Sequence, residues 1–179
     1  SLAEHLGLRT IEVPTHPGRG ISLEALELLL ADGRVQAVVA MPSIHNPLGT
    51  SMPVEAKRAL AALAAQYRVP VIEDALYAEL QYATPLPPTV KAFEVWFILC
   101  TSHSKTLAPG LRLGWMHAGR FKERVAALKF SASIAQPAFF AEVIAAFLDS
   151  GGYAAHLRRL RRINATYVER LRGLIETSF

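Results

Sequence analysis

Apolar residues change their period repeatedly along this chain, and each change marks an element. Ser1 to Gly7 reads as the end of a helix stopped by a glycine. Leu8 to Val13 alternates apolar and polar positions and predicts a strand, closed by Pro14 and Pro17. Ser22 offers an N-cap hydroxyl. Leu23, Leu26, Leu29 and Leu30 then recur at helical spacing, and Gly33 supplies the stop. Val35 to Met41 is a nearly continuous apolar run, the pattern of a strand buried on both faces. Pro42 to Gly49 is a loop by composition. Pro53 opens a helix to about Tyr67, with Leu60, Leu63 and Ala64 inward. Val69 to Glu73 is a further buried strand ending at Asp74, and Glu79 to Pro88 is irregular and proline-rich. Val95 to Cys100 is another short apolar run. Pro109-Gly110 marks a turn, and Leu111 to His117 reads as a strand. Helices are predicted over Phe121 to Ala132 and Phe139 to Leu148, separated by Gln136-Pro137. After a break at Gly151-Gly152, a long amphipathic helix runs from Tyr153 to Ile175. Its inward positions are Leu157, Leu160, Ile163 or Asn164, Tyr167, Leu171 and Leu174.

Strands alternating with helices predict an α/β fold with a mostly parallel sheet covered on both faces. Such sheets bind ligands outside the carboxyl ends of their strands. Asn46 follows one buried strand, Asp74 ends the next, and Lys105 follows a third. One sheet edge would therefore carry all three. A lysine between strands is ordinarily a solvated loop residue. This one has hydroxyls at Ser102 and Ser104 and a guanidinium seven residues on, at Arg112, which predicts an amine beside an anion site. Desolvation there would lower the amine's pKa and make it a nucleophile towards an aldehyde. An acid at a buried strand end, such as Asp74, needs a partner. Glu73 alternates to the other side of its strand and is read as structural.

The segment Ser102-His103-Ser104-Lys105 through Arg112 resembles the lysine signature of class I/II aminotransferases, the fold-type-I enzymes that use pyridoxal phosphate (PLP). His103 stands where an aromatic residue is usual. His45-Asn46-Pro47-Leu48-Gly49 resembles the family's Asn-Pro-x-Gly segment, and Glu73-Asp74-Ala75-Leu76-Tyr77 its aspartate–tyrosine segment. The resemblance implies a three-layer α/β/α major domain, incomplete here. It implies a Schiff base between Lys105 and PLP. Ser102, Ser104 and Arg112 would hold the phosphate, Asp74 the protonated pyridine nitrogen, and Asn46 and Tyr77 the phenolic oxygen. A homodimer is also implied. His45-Asn46-Pro47-Leu48-Gly49 with Met52-Pro53, Ser104 to Gly110, and above all Ser150-Gly151-Gly152-Tyr153 running into His156 to Arg162 look most like the MocR branch of GntR-type regulators. Those fuse a winged helix-turn-helix to an aminotransferase-like domain. Such a protein senses or converts an amino acid and meets DNA only through a domain outside these residues. The alternative is a free-standing aminotransferase, moving an amino group from an amino acid to a 2-oxo acid.

The resemblance also implies that residues 1–150 are part of the large PLP-binding domain, and that 151–179 is a helix leading to a small C-terminal domain. Two strands of the family's seven would precede Ser1. The expected consequences are a gap in the sheet, an unpaired edge and exposed core surface on several helices.

Composition adds limits. With 179 residues, 51% hydrophobic and 19% charged, the chain suffices for one core. The single cysteine, Cys100, excludes an internal disulfide and favours a reducing compartment. No apolar run approaches a membrane-spanning length and no signal pattern opens the chain, so a cytoplasmic location is expected. The net charge of +4 and pI near 9.5 come largely from arginines in the last helix. They fall mainly between its apolar positions, the pattern of a solvated face rather than of a DNA-binding surface. His45, His103 and His117 lack metal-ligand spacing.

Overall fold

A computed structural model describes residues 2–82 and 85–178; part of the irregular Glu79 to Pro88 stretch lies outside the described residues. The chain opens with a short helix α1 (Leu2–His5), and Gly7 takes the left-handed backbone that ends it, φ +73°. A two-stranded antiparallel ribbon follows, β1 (Thr15–His16) with β2 (Gly20–Ile21). Then come α2 (Leu23–Ala31), β3 (Val38–Ala40), α3 (Val54–Tyr67), β4 (Val71–Asp74), β5 (Phe97–Ser102) and β6 (Gly114–His117). Three helices close the chain: α4 (Lys122–Ser133), α5 (Ala138–Asp149) and α6 (Gly152–Ser178).

The main sheet has the order β3-β4-β5-β6. β3, β4 and β5 are parallel, with Val38 opposite Val71 and Ile72 opposite Ile98; β6 is antiparallel to β5. This is an α/β fold with a mostly parallel sheet. Side chains of period two decide its faces. Val38, Ala40, Val71 and Phe97 point into one core with Leu26, Leu30, Leu60, Ala61 and Ala64 from α2 and α3. Leu60 and Phe97 are wholly buried, each contributing about 1.5–3 kcal/mol. The Ser22 hydroxyl caps α2 by accepting the Ala25 N–H at 3.2 Å.

Three expectations are corrected. Leu8 to Val13 forms no strand among the described residues. Leu8 and Ile11 are half exposed, because alternation builds a strand only where a neighbouring edge is there to pair with it. Among the described residues the main sheet has no internal gap, and β3 and β6 are its two outer strands. The inward stripe of α6 is buried only near its start. Leu157 is buried, whereas Tyr167, Leu171 and Leu174 are more than half exposed for want of a packing partner. No single helix among the described residues is long and apolar enough to cross a membrane.

Candidate active site

Parallel pairing puts the carboxyl ends of β3, β4 and β5 on one edge of the sheet. Asp74 is the last residue of β4 and Ser102 the last of β5, in adjacent strands. Beyond Ser102 the chain turns sharply. The His103 carbonyl accepts the N–H groups of Leu107 (2.8 Å) and Ala108 (3.1 Å), and the His103 N–H donates to the Leu113 carbonyl at 3.1 Å. Lys105 rides on the outside of this turn. It is exposed, so the expected desolvation is absent in this state. Its Nζ lies 5.4 Å from the centre of the Tyr77 ring, within range of a cation–π attraction. Lys105 and Tyr77, which lie 28 positions apart, are thus brought together.

Asp74 Oδ1 accepts the Leu76 N–H at 3.0 Å, which turns the chain out of β4 towards Tyr77. The other carboxylate oxygen, Oδ2, takes no hydrogen bond among the described residues. Across the ladder from Asp74 sits Cys100, whose thiol pKa is raised, first by burial and then by the Asp74 charge. The Ser102 hydroxyl accepts the Ser104 N–H at 3.3 Å. Arg112 is exposed and left-handed, φ +48°, a conformation costing a non-glycine residue about 1 kcal/mol. Its guanidinium donates one hydrogen bond, from Nη1 to the Pro109 carbonyl at 3.1 Å, so most of its donor fork is uncommitted among the described residues. Asn46 is exposed in its loop and makes no hydrogen bond to Asp74, Tyr77 or Lys105 among the described residues. His103 is buried, its ring edge-on to Tyr153 at 5.5 Å, and serves packing.

The donor set suits a phosphorylated pyridine aldehyde. An amine stands by an aromatic ring. A carboxylate with an open oxygen ends the neighbouring strand. Two hydroxyls precede the amine in the chain, and a guanidinium with free donors follows it. The fit is one of chemistry and of shared sheet edge.

Pattern reading missed the polar braces behind these groups. Lys57 of α3 is wholly buried, donating to Ser43 Oγ at 2.8 Å and to the Pro88 carbonyl at 3.0 Å. That holds the loop carrying Asn46, next to Ile44, a β-branched residue at φ +52°. Glu73, read as structural, is wholly buried. Its two oxygens accept the N–H groups of Val90 (2.9 Å) and Lys91 (2.8 Å). Burial raises the Glu73 pKa and lowers that of Lys57, each opposed in part by the other's charge. A second brace joins α6 to both site loops: Tyr153 meets Glu79 and Thr106, His156 meets Thr106, and Arg161 meets Glu79. In the sequence Arg161 falls among the arginines between the apolar positions of this helix, which read as a solvated face; its bond to the Glu79 carbonyl corrects that reading for this residue.

Comparison with known proteins agrees with this geometry. The family described as aminotransferase class I and II matches residues 1–177. The uncharacterized HTH-type transcriptional regulator YjiR of Escherichia coli is 38% identical over 160 residues, covering 88% of this chain and 34% of its own. The chain thus spans about a third of the length of these curated relatives, the regulator YdcR of Escherichia coli among them. The multiple substrate aminotransferase of Thermococcus profundus superposes with a TM-score of 0.86 at 25% identity, over 93% of this chain and 43% of that one. The kynurenine aminotransferase of Pyrococcus horikoshii, solved with PMP, superposes at 0.78 with 29% identity, over 85% and 39%. Those enzymes are of PLP-dependent fold type I, the architecture found here in part, and PLP is the cofactor of the group. The chain belongs to the aminotransferase class I and II family.

Proposed function

We infer that this chain is the PLP-binding, aminotransferase-like domain of a GntR/MocR-type regulator, sensing or converting an amino acid. The observation that carries this is the Lys105 amine set over the Tyr77 ring, at the sheet edge where Asp74 ends its strand. Resemblance to the regulator YjiR favours this branch.

Lys105 would bond PLP as a Schiff base. Ser102, Ser104 and Arg112 would bind its phosphate, with Arg112 offering a charged fork and the serines neutral hydroxyls. Asp74 would keep the pyridine nitrogen protonated, and Asn46 with Tyr77 would orient the ring through its phenolic oxygen. PLP, when bound, supplies an electron sink for charge developing at the amino acid's α-carbon. Lys105 would also be the base placed to take the α-proton of the amino acid. Homodimerisation, and DNA contact through a separate domain, belong to the same proposal.

The test is addition of PLP, borohydride reduction and peptide mass mapping of wild type and Lys105→Ala. One adduct on Lys105, lost in the variant, is expected. Adducts scattered over Lys57, Lys91, Lys122 and Lys129 would overturn it. A second reading, a free-standing aminotransferase, is favoured by the two structural relatives, both aminotransferases. Release of a 2-oxo acid on adding amino acids separates turnover from sensing.

A further inference from the structure

We propose that Tyr153 is a positioning residue for the site, through which α6 holds the Lys105 turn and the Tyr77 loop in one register. This rests on the PLP site inferred above.

The Tyr153 hydroxyl lies 2.6 Å from Glu79 Oε2 and 3.0 Å from Thr106 Oγ1. A phenol has one proton to give. The shorter contact is to a carboxylate, so the proton goes there, and the Thr106 hydroxyl donates to the phenol oxygen. Thr106 follows Lys105 directly, and Glu79 is two residues past Tyr77. One hydroxyl therefore bridges the two loops whose side chains meet across 5.4 Å. Two more bonds from the same helix stripe repeat the link. His156 Nε2 lies 2.7 Å from the Thr106 carbonyl and must donate to it, since a carbonyl only accepts. Arg161 Nε donates to the Glu79 carbonyl at 2.6 Å. His156 and Arg161 lie three and eight positions after Tyr153, to either side of it on the helix surface, so one broad face of α6 carries all three. The Tyr153 ring is buried between His103 and Phe147, with ring centres 5.5 and 6.4 Å away. Burial makes the hydroxyl's bonds costly to leave unmade. Packing alone would have been served by phenylalanine.

Tyr153→Phe removes the bridging oxygen and keeps the ring; Phe147→Leu disturbs the ring's packing and keeps the bridge. Both are made in the full-length protein. Amide hydrogen exchange at Leu107 and Ala108, read without PLP, reports the turn itself. Borohydride trapping at sub-saturating PLP reports Lys105. Tyr153→Phe is expected to speed exchange at both amides about tenfold and to cut trapping at Lys105 by a similar factor, the worth of one hydrogen bond. Phe147→Leu should lower the melting temperature and leave both readouts near wild type. Unchanged exchange in Tyr153→Phe, or equal losses of trapping in the two variants, would overturn the proposal. A wild type that takes no adduct at Lys105 would instead overturn the PLP reading, with exchange still deciding whether the clamp exists.

Discussion

Glu73 and Lys57 show how single residues carry this fold. Glu73 accepts two backbone N–H groups from a segment 17 and 18 positions away, from inside the protein. Its folded pKa is raised above 4.5, chiefly by desolvation. The folded state then holds that proton more tightly than the unfolded chain. Its contribution to stability is therefore full below pH 4.5 and is lost as pH rises through the raised value. Lys57 has the opposite sign. Its pKa is lowered from 10.5 by burial, so stability from this group grows as pH rises from the lowered value towards 10.5. Glu73→Gln should remove the fall in melting temperature just above pH 4.5. It also sets an amide NH₂ against a backbone N–H, and should cost about 1–3 kcal/mol at neutral pH. Calorimetry across pH 4 to 7 reads both effects; a melting curve as pH-dependent as wild type would refute the assignment.

The site motifs were legible as residues because each is a local string: an amine with flanking hydroxyls, or an acid closing an apolar run. The Lys57 brace was not. Its partners Ser43 and Pro88 lie 14 and 31 positions away, and Lys57 sits in an alanine-rich helix where a lysine reads as solvated.

At the scale of elements, order and type were legible where a segment has its partner inside the chain. α3 opens after Pro53, α5 after Pro137, and the turn at Gly151 separates α5 from α6, as punctuation alone predicts. Extents were less legible, since apolar runs continue past the last ladder pair. Val35 to Met41 yields only Val38–Ala40. The β5–β6 pair adds a close approach that pattern does not encode. A Cβ on Gly114 would lie 2.7 Å from the Thr101 carbonyl and 3.1 Å from the Ser102 Cβ. Gly114→Ala must push β6 off β5 beside Ser102, at a cost of about 1–3 kcal/mol. Chemical denaturation should show that loss. Because the strain falls on the strand end that carries Ser102, PLP trapping at Lys105 should drop more than in a surface variant of equal stability. Wild-type denaturation midpoints would mean that the strands yield without strain.

The molecule as a whole leaves more apolar surface open than one core requires. Trp115 and Met116 on β6 are half exposed, and Val39 on β3 is 69% exposed, so both sheet edges are open. Phe130 on α4 and Phe139 on α5 are each about two thirds exposed, as is Tyr167 on α6, followed along its stripe by Leu171 and Leu174. Isolated apolar side chains on a surface are ordinary; runs of them along successive helices and sheet edges mark surfaces that another element covers. An open strand edge also offers unpaired N–H and C=O groups to any neighbouring chain. Charge does little to oppose this, because a net +4 spread over 179 residues repels weakly at physiological salt. The 179-residue chain alone is therefore expected to self-associate at micromolar concentration. Sedimentation velocity should show a dimer or larger species whose weight rises with concentration. Adding salt should strengthen the association, since apolar burial drives it and the like charges are screened. A longer chain that covers β6 and the far half of α6 should lose the concentration dependence or stop at a single dimer. A monomer with one cooperative melt at all concentrations would show that these faces are stable in water on their own, and would remove the physical case for a covering element.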